Sequence, residues 1–231
     1  MRAMILAAGR GARMRPLTDT CPKPLLPVHG EPMLVRLIKQ LVAARISKLV
    51  INHAWLGEQI ESAIGDGRQF GANVTFSPET AALETAGGIS NALPLLGNEP
   101  FLVVNGDVFT DFDFSQTHQW QQDVQSGALD AVCTLVANPA HNPAGDFALD
   151  TQGLVRNPVS RTARNTLTYA GIAVFRPEFF ALVPAGSAAP LAPLLRATAD
   201  QGRLGGVQFT GLWSDVGSPE RLNELNARST D

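Results

Sequence analysis

Hydrophobic residues keep two different rhythms along the first half of this chain, and their alternation predicts its architecture. Residues 1–9, MRAMILAAG, are an apolar run ending in glycine, the pattern of a strand buried on both faces. Residues 32–46, PMLVRLIKQLVAARI, repeat apolar positions at helical spacing behind a proline suited to the first helical position. A strand over 48–54, a short helix over 57–67, a strand over 72–77 and a helix over 85–96 follow. Residues 100–109, PFLVVNGDVF, read as one continuous apolar strand that ends in Asn105, Gly106 and Asp107. Alternation of this kind predicts βαβ units on a mostly parallel sheet.

The rhythm changes after about residue 126. DAVCTLVAN (130–138), DFALDTQGLV (146–155) and LTYAGIAVFRP (167–177) are strand-like and divided by turn signals such as Asn-Pro and Thr-Gln-Gly. A helix around 190–201, a strand over 205–211 and a closing helix over 219–227 complete the pattern. The expected fold is one α/β domain over 1–231. Its Rossmann-like, mixed, mostly parallel central sheet is flanked by helices, with a small β subdomain in the second half. No internal repeat or low-complexity tract interrupts it.

Composition narrows the functions available. The 231 residues carry 45% apolar and 17% charged side chains and a net charge of −3. That balance suits a packed globule and lacks the basic face a nucleic-acid binder needs. No uncharged apolar run is long enough to span a bilayer, and MILAA is too short for a signal segment, so a cytoplasmic protein without membrane contact is expected. Cys21 and Cys133 lie far apart and belong to no CxxC or Cys/His cluster, so both are expected as reduced thiols, with Lys23 lowering the pKa of Cys21. His29, His53, His118 and His141 show no ligand spacing and are expected to be structural or on the surface, His53 being the strongest exception.

The chemistry concentrates in LAAGRGARMRP, residues 6–16, with two glycines, three arginines and no acid. It is neither of two familiar phosphate cradles. A P-loop counted from Gly9 would need its second glycine at Met14, and a GxGxxG fingerprint from Gly9 and Gly11 also fails at Met14. The physics still favours phosphate. Glycines let backbone N–H groups approach an anion, Arg13 and Arg15 add charge, and Lys23 sits in a proline-stiffened loop, CPKPLLPV. Asp107 at a strand end and Asp215 before a helix are candidate magnesium ligands, since crowded phosphates call for a hard divalent cation on one or two carboxylates.

The stretch LAAGRGARMRPLT…PKPLLPV resembles the signature loop of the sugar-1-phosphate nucleotidyltransferases, with Ala12 where that family usually has threonine. The resemblance implies that Leu6, Ala7, Ala8, Gly9 and Gly11 line a nucleotide, with Arg13 and Lys23 as catalytic cations on its phosphates. It implies Mg²⁺ on Asp107 and Asp215. SPETAALETAGGI resembles the family's base-binding segment: Glu79 would read the base edge and Thr85, Ala86, Gly87 and Gly88 would complete the nucleotide site, while Glu84 replaces a glycine of the family pattern. Asn105, Gly145, Asp146, Tyr169 and Gly171 would face the sugar phosphate. The family's Glu-Lys-Pro is missing, which leaves Arg156, Arg161 and Arg164 as equal candidates for its phosphate-gripping lysine, with Arg156 counted among the sugar-phosphate contacts. Residues 1–110 would then be mainly the nucleotide half and 111–231 mainly the sugar half.

The implied partners are UTP and a sugar 1-phosphate, in a monomer or weak homo-oligomer. Short length, LETAGGI and the absent Glu-Lys-Pro look most like the branch of the family that uridylylates N-acetylmuramate α-1-phosphate in cell-wall recycling. Mannose- or heptose-1-phosphate guanylyl transfer is the alternative. A nucleotide-sensing module without turnover is the third reading, disfavoured by the retained Arg13, Lys23, Asp107 and Asp215.

Overall fold

The computed structural model describes residues 1–158 and 165–228. The first half runs β1 (Arg2–Leu6), α1 (Leu17–Thr20), β2 (Pro27–Val28), β3 (Glu31–Pro32), α2 (Met33–Ala43), β4 (Lys48–His53), α3 (Gly57–Ile64), β5 (Asn73–Pro78), α4 (Glu84–Leu96), β6 (Phe101–Asn105) and β7 (Val108–Thr110). The second half runs α5 (Thr117–Gln125), β8 (Ala131–Val136), β9 (Phe147–Leu149), β10 (Val155–Arg156), β11 (Thr166–Phe175), α6 (Ala192–Asp200), β12 (Leu204–Gln208), β13 (Trp213–Asp215) and α7 (Pro219–Ala227).

The central sheet is ordered β10-β9-β11-β6-β1-β4-β5, with β8 also on β11 and β12 on β8. The four strands β6, β1, β4 and β5 are parallel to one another. Antiparallel β11 joins them to the second half, pairing β6, β8 and β9 along its ten residues. Both faces of the sheet are covered, as the unbroken apolar runs require. Ala3 and Ile5 of β1 pack with Leu34, Leu37 and Ile38 of α2 on one side, while Met4 packs with Ile89 of α4 and Phe101 on the other. A third, smaller core gathers Met14, Leu26, Val28 and Met33 from the first half with Val216, Leu222 and Leu225 from the last turns of the chain.

Several elements break or stop elsewhere than the sequence reading has them, helix α2 at Ala43 and strand β12 at Gln208 among them. The strand expected over 100–109 breaks after Asn105, and β7 turns away to pair β13 in a separate two-stranded ladder. A Cβ on Gly106 would lie 2.7 Å from the Leu6 carbonyl, so the chain passes β1 too closely to stay in line. The strand-like stretch over 146–155 folds back at its Thr-Gln-Gly turn signal into a hairpin. Asp150 Oδ1 accepts from the N–H groups of Gln152 and Leu154 at 2.9 Å each and turns β9 into β10. Helix α3 stops at Ile64, not 67, because Gly65 leaves helical space at φ 57°. No described helix is long and apolar enough to cross a membrane.

Candidate active site

Strand register sets the location. Leu6 lies opposite Asn52 on β4 and Asn105 on β6, so three parallel strands end level at one rim. Ligands of open α/β sheets collect outside such carboxyl ends. A cleft of about 280 Å³ opens there, lined by Leu6, Ala7, Ala8, Gly9, Lys23, Asn52, Glu79, Asn105 and Asp107 among others. The Ala7 N–H donates to Asn52 Oδ1 at 2.8 Å and so fixes the start of the loop.

The loop divides its arginines between two tasks. Arg10 is tied down: its guanidinium donates to the Thr18 carbonyl and to Asp19 and lies 3.7 Å over the Trp55 ring. Arg13 instead lines a second recess with Gly9, Gly11, Lys23 and Gly217. Gly11 stands at φ 65°, where a Cβ would meet Thr18 Cγ2 at 2.9 Å and Lys23 Cβ at 3.2 Å. A Cβ on Gly9 would meet nothing within 4 Å, so that glycine faces open space.

Lys23 begins a short 3-10 turn between Pro22 and Pro24, and its ammonium pairs with Asp107. The Val216 N–H donates to the Asp107 carbonyl at 2.8 Å, and the β7–β13 ladder sets Asp215 opposite Val108. Lys23, Asp107 and Asp215, separated by up to 192 positions, are thereby neighbours. Asp215 holds Arg221 and lies 3.1 Å from His141 Nε2. Two carboxylates beside a phosphate-type loop suit magnesium, which takes one or two protein oxygens and fills its octahedron from phosphate and water. Each carboxylate now faces a cation, Lys23 or Arg221. Among the described residues no group of three or more His, Cys, Asp or Glu side chains converges as a closed metal cage.

At the other end of this cleft Glu79 is nearly buried. Its Oε1 accepts from Asn52 Nδ2 at 2.6 Å and its Oε2 from the Leu83 N–H at 3.3 Å. Asn52 thus serves both the loop and Glu79, a role its position near the end of an apolar strand was the only signal for. Three of the expected nucleotide residues make close contacts within the protein itself. The N–H groups of Ala86 and Gly87 both donate to the Ala189 carbonyl, at 2.9 and 3.1 Å, and are not free for a nucleotide. Gly88 acts by absence: a Cβ there would come within 2.6 Å of Glu79 Oε1. Thr85 does line the cleft, and so does Glu84, a non-glycine residue held at φ 55°.

Glu84, Thr85 and Asn105 also border an adjoining cleft of about 490 Å³ with Asp146, Phe147, Tyr169, Pro190, Leu191, Leu195 and Arg196. Asp146 is held from both sides, accepting from Asn142 Nδ2 at 3.1 Å and from the Tyr169 N–H at 2.9 Å. The other residues expected on the sugar side lie around this cleft or beside it. Gly145, at φ 64°, and Gly171, at φ 74°, stand where a side chain would crowd its neighbours: a Cβ on Gly171 would sit 2.6 Å from Asn105 Nδ2. The Tyr169 hydroxyl is buried without a hydrogen-bond partner among the described residues, and burial pushes its pKa above the usual range, so only the rest of the residue forms wall. Arg156 is outside this cleft, bound through Nε to Asp150 at 2.8 Å. Arg161 and Arg164 lie outside the described residues. The cation that does line the cleft, Arg196, belongs to no motif.

The remaining expectations resolve simply. His53 bonds Glu61 at 2.7 Å and packs edge-on against Phe76, a structural role. Both cysteines are free. Burial raises Cys21, contrary to the lowering expected from Lys23, whose charge is taken up by Asp107. Burial pushes Cys133 up to about 12.

Comparison with known proteins agrees with this geometry. A model of the nucleotidyl transferase family matches residues 2–231. The N-acetylmuramate alpha-1-phosphate uridylyltransferase of Neisseria meningitidis serogroup B is 54% identical, over 98% of this chain and 97% of that one. The protein of the same name from Caulobacter vibrioides is 34% identical, over 98% and 96%. A solved Bacillus anthracis structure, described as a candidate glucose-1-phosphate thymidylyltransferase in complex with sucrose, shares the fold. Its TM-score is 0.84, at 22% identity, over 98% of this chain and 94% of that one. The chain belongs to the nucleotidyl transferase family.

Proposed function

We propose that this member of the nucleotidyl transferase family is a uridylyltransferase: it moves the uridylyl group of UTP onto N-acetylmuramate α-1-phosphate and releases pyrophosphate. The observation that carries the reading is the meeting of Lys23, Asp107 and the Asp215 strand at the mouth of the glycine loop. The 54% identity to the Neisseria uridylyltransferase supports the choice of substrates.

The reaction needs positioned charge more than proton transfer. A phosphate oxygen of the sugar 1-phosphate attacks the α-phosphorus in line, the α–β oxygen bridge breaks, and the nucleophile is already an anion near neutral pH. Arg13, in the recess beside Gly9 and Gly11, would stabilise charge on the departing pyrophosphate. Lys23 would release Asp107 and bridge the α-phosphate and the incoming phosphate. Magnesium, when held by Asp107 and Asp215, supplies neutralising charge to the triphosphate oxygens. Asn105, which lines both clefts, would contact the incoming sugar phosphate at their junction. The product is an activated wall sugar, which suits a cytoplasmic enzyme of peptidoglycan recycling.

The test is pyrophosphate release by the purified protein with each of the four NTPs and either N-acetylmuramate α-1-phosphate or mannose 1-phosphate, before and after chelation. Release confined to UTP with the muramate, lost on chelation and restored by magnesium, is expected. Release only with GTP and mannose 1-phosphate would replace this reading by the guanylyltransferase one.

A further inference from the structure

We infer that Arg196 determines specificity by binding the carboxylate that the acceptor sugar carries away from its reacting phosphate. The inference rests on the uridylyltransferase reading and deepens it. N-acetylmuramate differs from N-acetylglucosamine by an ether-linked lactate, whose carboxylate is an anion on the body of the sugar. The cations that serve phosphates, Arg13 and Lys23, line the first cleft and its recess and not the second. In the second cleft Arg196 is the one cation among the described lining residues, while Glu84 and Asp146 would repel a second anion elsewhere on its walls.

The guanidinium is also poised for the task. It lies 5.1 Å over the Phe147 ring, and its Nη1 donates to the Asp146 carbonyl at 3.3 Å and to Asn157 Oδ1 at 3.2 Å. These contacts orient the fork and use one nitrogen. Among the described residues Nε and Nη2 bond to nothing else and form an edge of parallel donors, the geometry that grips a carboxylate bidentately. Pro190, Leu191 and Leu195 beside it offer apolar wall for the lactate and acetamide methyl groups.

Steady-state kinetics at saturating UTP would compare N-acetylmuramate α-1-phosphate with its lactamide analogue, which keeps the shape and loses the charge. Wild type is expected to favour the acid by about 10- to 100-fold in kcat/KM, the scale of one charge-assisted pair in an open cleft. In Arg196→Ala that preference falls to near unity, through a raised KM for the acid with kcat within about 2-fold, the mark of lost uniform binding. Arg196→Lys recovers part of it. Arg196 is exposed, so the variants are expected to fold, and matching melting curves check this. Equal loss for both sugars, or an undiminished preference in Arg196→Ala, overturns the assignment. Wild type that turns over neither sugar removes the uridylyltransferase reading and this assignment with it, a result distinct from either.

Discussion

Gly11→Ala tests whether the glycine loop is shaped by the backbone demands described above. Its φ of 65° puts an L side chain in left-handed space, at a penalty of about 1–2 kcal/mol. The new Cβ would also lie 2.9 Å from Thr18 Cγ2 and 3.2 Å from Lys23 Cβ, which must yield, and overpacking of this kind costs about 1–3 kcal/mol. Partial relaxation brings the sum to about 2–4 kcal/mol, or a fall in Tm of roughly 5–12 °C for a chain of this length. Lys23 is one of the displaced neighbours, so kcat should fall by about 10-fold or more, since sub-ångström misplacement of an oriented group is enough. Gly9→Ala is the internal control. A Cβ there meets nothing within 4 Å and Tm should stay within about 1 °C of wild type. Scanning calorimetry and the pyrophosphate assay read both. An unchanged Gly11→Ala, or equal losses of Tm in the two variants, would refute the reasoning.

Lys23→Ala and Asp107→Ala should each lower kcat by about 100-fold or more, the scale of one preorganised electrostatic partner, and near-normal turnover in either would remove its role. Gly171→Ala should push Asn105 aside, lowering Tm and raising KM for the sugar phosphate together; a change in Tm alone would show that Asn105 does not touch that substrate. Asp130 is held below the usual carboxylate range by hydrogen bonds from Arg203 first and Arg176 second. Its depressed pKa adds stability above the unfolded value of about 4 and loses it as pH falls through the folded value. Asp130→Asn should therefore melt below wild type at pH 7, with the gap closing under acid; a gap that persists at pH 2 would contradict the ion-pair origin.

What the sequence made legible was what depends on neighbours in the chain. The loop from Leu6 to Lys23, helix α2 behind Pro32 and helix α7 are local patterns: α7 keeps its expected bounds, and α2 starts behind its proline and ends three residues short, at Ala43. What it hid depends on distant backbone. Nothing near Gly106 signals that Leu6 will crowd it, so β6 and β7 read as one strand. Nothing in TAGG tells that the Ala189 carbonyl will claim two of its amides. Arg156 and Arg196 are equivalent as letters; only Asp150 beside one and the cleft beside the other separate them. Asn52, one residue from the end of an apolar strand, carries no sign in the sequence of the partners it meets.

The small core built from Met14, Met33, Val216 and Leu222 joins the opening turns of the polypeptide to its last helix. As synthesis proceeds from the amino terminus, the glycine loop exists long before the segment that brings Asp215 and seats the floor beneath it. A nascent or carboxyl-truncated molecule thus lacks Asp215 and leaves an apolar patch exposed beside its glycine loop. Supplying the segment from β13 to α7 in trans to a molecule cut ahead of it is therefore expected to close that patch and restore Asp215 together.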